Sequence, residues 1–259
     1  MSDEVWFRLN GEAVTVPNSG SLLDALRDRL GETGVKDGCA PQGQCGACTV
    51  LINGEPRVSC VTAVTRAANT EVTTAEGIAI ELRDEWIAAF ESTGASQCGF
   101  CTPGILCRLV GTQSKRGLAP DQVDRALAAH LCRCTGWQPI AEAAALVANG
   151  VTGTVRDTTK AAERASLEQG VPQAAGANVV LGRAGFSDDE APLDAQLFWT
   201  DGRSEYVAAD SKTHARALAG TVQGRNSTAA LRAPLEVPPG EWVRTLQTVF
   251  VEPDRKSVV

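Results

Sequence analysis

Short strand-like apolar runs broken by tight turns open the chain: Val5-Trp6-Phe7-Arg8-Leu9, then Asn10-Gly11, then Ala13-Val14-Thr15-Val16. A further run, Thr49-Val50-Leu51-Ile52, precedes Asn53-Gly54. Asn-Gly next to such runs is a strong hairpin signal. Between the two turns Leu22, Leu26 and Leu30 recur on one helical face, with Ser21 available as a cap and Gly31 as a stop. Residues 1–75 therefore read as a small α+β unit. From about residue 76 to 150 the period becomes helical. Leu82, Trp86 and Phe90 form one stripe, Val123, Leu127 and Leu131 another, and Ile140 to Val147 is an alanine-rich run that favours helix. This second unit is expected to be all-α. Residues 151–180 are small and polar with scattered glycine, which predicts an extended linker lying over a surface. Residues 181–259 make a C-terminal extension, α+β or extended, with a helix candidate at Ser211–Val222 and a strand candidate at Thr245–Val251.

Charge narrows the partners. The chain carries a net charge of −7 and a pI near 5.0, without a cluster of Lys and Arg that would meet nucleic acid or an anionic membrane. Its opening, MSDEVWFRLNGEAV, has no basic region leading into an apolar stretch, and no run approaches the length of a membrane span. A cytoplasmic protein is expected. In that compartment closely spaced cysteines point to metal or redox chemistry rather than disulfides.

Eight of the nine cysteines fall into two quartets. Cys39, Cys45, Cys48 and Cys60 read C-x5-C-x2-C-x11-C, three thiols from one loop and a fourth from further along, as in plant-type [2Fe–2S] sites. Cys98, Cys101, Cys132 and Cys134 read C-x2-C, a gap of 30 residues, then C-x-C, so two distant segments must converge. Four thiolates around two ferric irons and two sulfides leave a net negative site, so backbone N–H groups must aim at the sulfurs. Gly43 and Gly46 in the first loop allow that approach. At the second site Thr102 and Pro103 suit the N-cap and first position of a helix, and Thr135-Gly136-Trp137-Gln138 has capping-box spacing, so two helix N-termini would face the cluster. A four-cysteine zinc site is the alternative; it fits the three-cysteine loop poorly. Cys107, among apolar neighbours, reads as a small buried hydrophobe. His130 reads as a packing or capping residue near the second quartet, and His214 as a surface residue.

The strings DGCAPQGQCGACTVLING, SQCGFCTPG and LCRCTGWQPI, in this order and spacing, resemble the iron–sulfur subunit of the molybdenum hydroxylases, the xanthine dehydrogenase and aldehyde oxidoreductase family, over residues 1 to about 150. The resemblance implies a β-grasp plant-type ferredoxin domain (1–75) and a four-helix [2Fe–2S] domain (76–150). By position, Cys39, Cys45, Cys48 and Cys60 would hold the outer cluster and Cys98, Cys101, Cys132 and Cys134 the inner one, with Gln97 and Cys134 beside the molybdopterin of a partner. It further implies a large molybdopterin-binding subunit, a FAD-binding medium subunit, and a hetero-oligomer, with a dimer of heteromers as one form. Electrons would pass from molybdenum through the two clusters to FAD or another acceptor. The five-residue first gap, His130 and Trp137 depart from the family's usual pattern, and none of these removes a ligand. Val180 to Asp189 faintly resembles the stretch that opens the molybdopterin subunit, so the extension reads either as a detached opening segment or docking arm, or as a lineage-specific surface extension. A free-standing two-cluster ferredoxin and a zinc-stabilised interaction module are the other readings of the chain.

Overall fold

The computed structural model describes residues 3–39, 42–154, 157, 159–170, 174–186, 189, 197–200 and 206–209. Ser211–Val222, His214 and Thr245–Val251 lie outside them.

The two Asn-Gly turns close hairpins. Strands β1 (Glu4–Leu9) and β2 (Glu12–Pro17) pair antiparallel about Asn10-Gly11, and β3 (Thr49–Ile52) and β4 (Glu55–Val58) about Asn53-Gly54. Asn10 and Asn53 take φ of 53° and 51°, conformations that asparagine and glycine tolerate best. Strand β5 (Glu71–Thr73) runs parallel to β1 and antiparallel to β3, giving the five-stranded order β2-β1-β5-β3-β4. Along β1 the side chains of Val5, Phe7 and Leu9 are buried while Trp6 faces outward, the period of two that sets this register.

Ser21 caps helix α1 (Leu22–Asp24) with a full capping box: its Oγ accepts from Asp24 N, and its own N–H donates to the Asp24 carboxylate. The helix continues as a π-turn over Ala25–Arg29 rather than as regular α, and Leu22 and Leu26 are wholly buried against the sheet.

Four helices follow: α2 (Ile80–Thr93), α3 (Thr102–Arg116), α4 (Pro120–Leu127) and α5 (Gln138–Ala148). Trp86 and Phe90 fill their core, ring centroids 5.9 Å apart and edge to face, and Trp86 Nε1 is satisfied by Gln113 Oε1 at 2.9 Å. The stripe Val123, Leu127, Leu131 breaks at its third member: α4 ends at Leu127, and Leu131 is 60% exposed. Helix α3 also packs on β3, where Gly111 lets it approach Leu51 and Pro56.

The stretch read as an extended linker holds two helices, α6 (Thr159–Leu167) and α7 (Ala177–Val180). The short α7 docks on α2 and α3, burying Val179, Val180 and Leu181. Residues 1–193 form one compact unit; the remainder forms another, in which β6 (Leu197–Thr200) and β7 (Tyr206–Ala209) make an antiparallel hairpin.

Candidate iron–sulfur sites

The first quartet sits on the loop before β3 and on the 3-10 turn after β4. Cys45, Cys48 and Cys60 are buried, and Cys39 is half-buried. Backbone amides point at these thiols: Gln42 N donates to Cys39 Sγ at 3.3 Å and Cys60 N to Cys48 Sγ at 3.5 Å, with Gly43 N directed at Cys60. The thiols meet in pairs. Burial pushes the Cys39 thiol up, but the amides of Gln44, Cys45 and Gln42 outweigh it and hold the group below the usual thiol range, while burial lifts its neighbour Cys45 to about 11. A hydrogen bond from Cys60 brings Cys48 down to about 7 and pushes Cys60 up by the same contact. Such opposed shifts are those of a shared proton that a metal would displace.

The second quartet joins two loops. Cys98 and Cys101 lie in the turn between α2 and α3; Cys132 and Cys134 lie between α4 and α5. The segments cross-pair, Cys98 with Cys134 and Cys101 with Cys132. The Cys101 hydrogen bond, joined by Thr135, whose Oγ1 lies 2.9 Å away, brings Cys132 down to about 5. Cys101 is the N-cap residue of α3, so the positive end of that helix dipole lies at a thiol. Thr102 thus becomes the first helical residue instead of the cap. The capping box expected at Thr135 does not form: Thr135 serves Cys132 and the Trp137 amide, and α5 starts from Trp137 at φ 71° with no side-chain cap.

Gly43 and Gly46 take φ of +69° and +73°. The first turns its amide towards Cys60, and a Cβ on Gly46 would meet the Ala129 carbonyl at 2.5 Å and the His130 ring at 2.6 Å. His130 is fully buried in this joint, Nε2 3.2 Å from Thr49 Oγ1 and Nδ1 3.3 Å from the Ala126 carbonyl oxygen. The Leu131 amide donates to the Cys45 carbonyl at 3.0 Å, and Trp137 Nε1 to the His130 carbonyl at 3.0 Å. Cys107 is buried on α3, its thiol pushed up to about 12 by burial.

Sequence reasoning missed two further contacts. A Cβ on Gly38 would lie 2.8 Å from Cys45 Sγ and 3.1 Å from the Phe100 ring, and one on Gly104 would lie 2.5 Å from the Gly46 carbonyl oxygen. The turn carrying Cys98 and Cys101 is therefore packed directly on the loop carrying Cys45 and Cys48. Glycines flanking both cysteine strings were the available signal. Gln97 and Cys134 are exposed, and Gln97 precedes the thiol that neighbours Cys134.

Residues 7–74 match the 2Fe-2S iron–sulfur cluster binding domain family and residues 74–145 the [2Fe-2S] binding domain family. The chain is 42% identical over 137 residues to the nicotinate dehydrogenase small FeS subunit of Eubacterium barkeri, covering 50% of this chain and 84% of that subunit. Its structure resembles the aldehyde oxidoreductase of Desulfovibrio desulfuricans with a TM-score of 0.61 and 28% identity, over 77% of this chain and 24% of that one. Quinoline 2-oxidoreductase of Pseudomonas putida 86 matches with a TM-score of 0.50 and 34% identity, over 63% of this chain and 98% of the matched chain. With both iron–sulfur domain families matched in sequence and a subunit relative 42% identical, the chain belongs to the molybdenum hydroxylase family as an iron–sulfur, electron-transfer subunit.

Proposed function

We propose that Cys39, Cys45, Cys48 and Cys60 hold one [2Fe–2S] cluster and Cys98, Cys101, Cys132 and Cys134 a second, in a β-grasp domain over residues 1–75 and a four-helix domain over 76–150. The observation that carries this is the pairing of the thiols. Two thiolates per iron is what a [2Fe–2S] cluster asks for. When bound, each cluster supplies a one-electron store. The chain's own part is to shield the thiolates from water and stabilise their charge, through the amides of Gln42, Gln44 and Gly43 at the first site and the Phe100 amide and Thr135 hydroxyl at the second.

The partner we infer is a large molybdopterin-binding subunit facing Gln97 and Cys134, where Leu131 and Trp137 also present apolar surface, 60% and 39% exposed. A FAD-binding medium subunit would take the electrons onward, in a cytoplasmic hetero-oligomer. A small-subunit relative supports this reading, since its name implies companions. Aerobic purification with iron and sulfide analysis, and EPR after dithionite, tests the cofactors: about four irons and two distinct rhombic signals are expected. A colourless, zinc-containing protein would overturn the reading. Co-purification of a molybdenum-containing chain separates the assembly from a free-standing ferredoxin.

For the C-terminal extension we infer a detached opening segment of the molybdopterin subunit. Its support is that the likeness to the aldehyde oxidoreductase spans 77% of the chain, more than residues 1–150 account for. Stable, soluble folding of residues 181–259 alone would count against it.

A further inference from the structure

Lys36 lies three positions before Cys39, yet its side chain is only 1% exposed. A side chain so buried needs partners that replace water, because desolvating a charged group is costly. The Thr33 carbonyl oxygen accepts from Nζ at 2.6 Å. The segment after α7 adds the Gly182 carbonyl oxygen at 2.6 Å, the Asp189 carboxylate, and the face of Phe186, whose centroid is 5.3 Å from Nζ. Arg27, buried beside it, donates to the other Asp189 oxygen at 2.9 Å. The same segment reaches the second quartet. Phe186 meets Phe100 edge to face at 5.3 Å, and a Cβ on Gly99 would lie 2.5 Å from the Val179 carbonyl oxygen. Gly182 fits between Gly34 and Pro103, the second residue of α3. Arg183 pairs with Glu76 at 2.6 Å.

The geometry points to residues 177–186 as a strap that positions the Cys98–Cys101 turn against the loop leading to Cys39, with Asp189 closing it on Lys36 and Arg27. Phe100 is the joint, since it touches Phe186 on one side and the Gly38–Cys45 contact on the other. Asp189 and Lys36 are positioning residues that act on the cluster loops through the strap. This inference rests on the two-cluster reading, which iron content and the presence of two EPR signals test separately.

The test uses the full, iron-loaded chain and three variants: Asp189→Asn, Lys36→Met with Asp189→Asn, and Phe186→Leu. Hydrogen exchange of the oxidised protein is read in peptides spanning 34–39 and 96–104, with β1 and α4 as remote references. Asp189→Asn leaves Lys36 and Arg27 without the carboxylate, so exchange in both loop peptides should rise about tenfold, while the references stay within twofold. Removing the Lys36 charge as well should restore part of that protection. Phe186→Leu should loosen the 96–104 peptide without altering local charge, and it decides the matter if Asp189→Asn does not fold. In the reduced protein, the rhombic signals should change shape in Asp189→Asn. Unchanged exchange at both loops, a uniform rise across the chain, or identical spectra in all variants would overturn the strap.

Discussion

Replacing Gly104 by alanine tests whether backbone-on-backbone packing sets the approach of the two cysteine loops. The residue lies in the first turn of α3, and an added Cβ would stand 2.5 Å from the Gly46 carbonyl oxygen and 2.7 Å from that of Ala47. Neither atom can swing away. The Gly46 carbonyl is fixed by hydrogen bonds from Thr49 N at 3.0 Å and Thr49 Oγ1 at 2.7 Å. Helix propensity favours alanine over glycine by up to about 1 kcal/mol, whereas forcing extra volume into a packed contact costs roughly 1–3 kcal/mol or more. The contact term wins, so Gly104→Ala should lower stability by about 1–2 kcal/mol and push the start of α3 away from the Cys45–Cys48 loop. Gly94→Ala is the matched control: its φ is +72° with nothing within 4 Å. It should cost about 1 kcal/mol through left-handed backbone alone and disturb neither loop. Urea unfolding followed by tryptophan fluorescence gives both stabilities. Spin–spin interaction between the two reduced clusters, read by EPR, should change in Gly104→Ala and not in Gly94→Ala. A Gly104→Ala protein as stable as its parent, with an unchanged spectrum, refutes the reasoning.

Cys60→Ser and Cys134→Ser should each reduce the iron content from about four to about two per chain and remove one rhombic EPR signal; loss of the same signal in both would contradict the division into quartets. Cys107→Ala should keep about four irons and cost about 1 kcal/mol of stability in urea, the scale of one buried heavy atom. Burial, reinforced by the like charge of Arg108, holds the His130 imidazole down to about 4. Because an unfolded imidazole titrates near pH 6.5, the unfolded chain takes the proton first as pH falls. Stability from this residue is therefore complete above about pH 6.5, is lost towards pH 4, and at pH 5 should already be down by about 2 kcal/mol. Urea midpoints at pH 7 and pH 5 should fall further apart in the parent than in His130→Gln; equal separations would sink that account.

What sequence reasoning could see follows the range of the interactions. The hairpin turns at Asn10-Gly11 and Asn53-Gly54, the Ser21 cap, and the Trp86–Phe90 stripe depend on neighbours a few residues away, so composition and period announce them. The thiol spacings were equally legible, because short ligand loops must bend within themselves. The cap at Thr135 failed because its hydroxyl is engaged locally, by the Cys132 sulfur and by the Trp137 amide. Residues 151–180 looked like linker because α7 is four residues long and takes its burial from distant segments, among them the turn at Gly99. Lys36 takes its carboxylate partner from Asp189, 153 positions away, a pairing no local pattern announces.

Those long-range contacts concentrate where the function needs them. One-electron transfer between buried centres weakens steeply with separation, so a two-cluster carrier must hold two separately folded loops in direct contact without filling the space between them. Around the cysteines the chain does this with residues that have no side chain: Gly38 beside Cys45 and Phe100, Gly46 beside His130, and Gly104 beside Gly46 and Ala47. A plain ferredoxin loop needs glycine only to turn amides towards sulfur, and Gly43 serves that purpose here. The other three let the loops of the two sites approach one another. Their cost is backbone freedom in the unfolded chain, offset by packing that closes only when both units are present. The two cluster-bearing units should consequently stabilise one another, and substitutions at Gly46 and His130, on opposite sides of one contact, should be markedly non-additive in a double-mutant cycle.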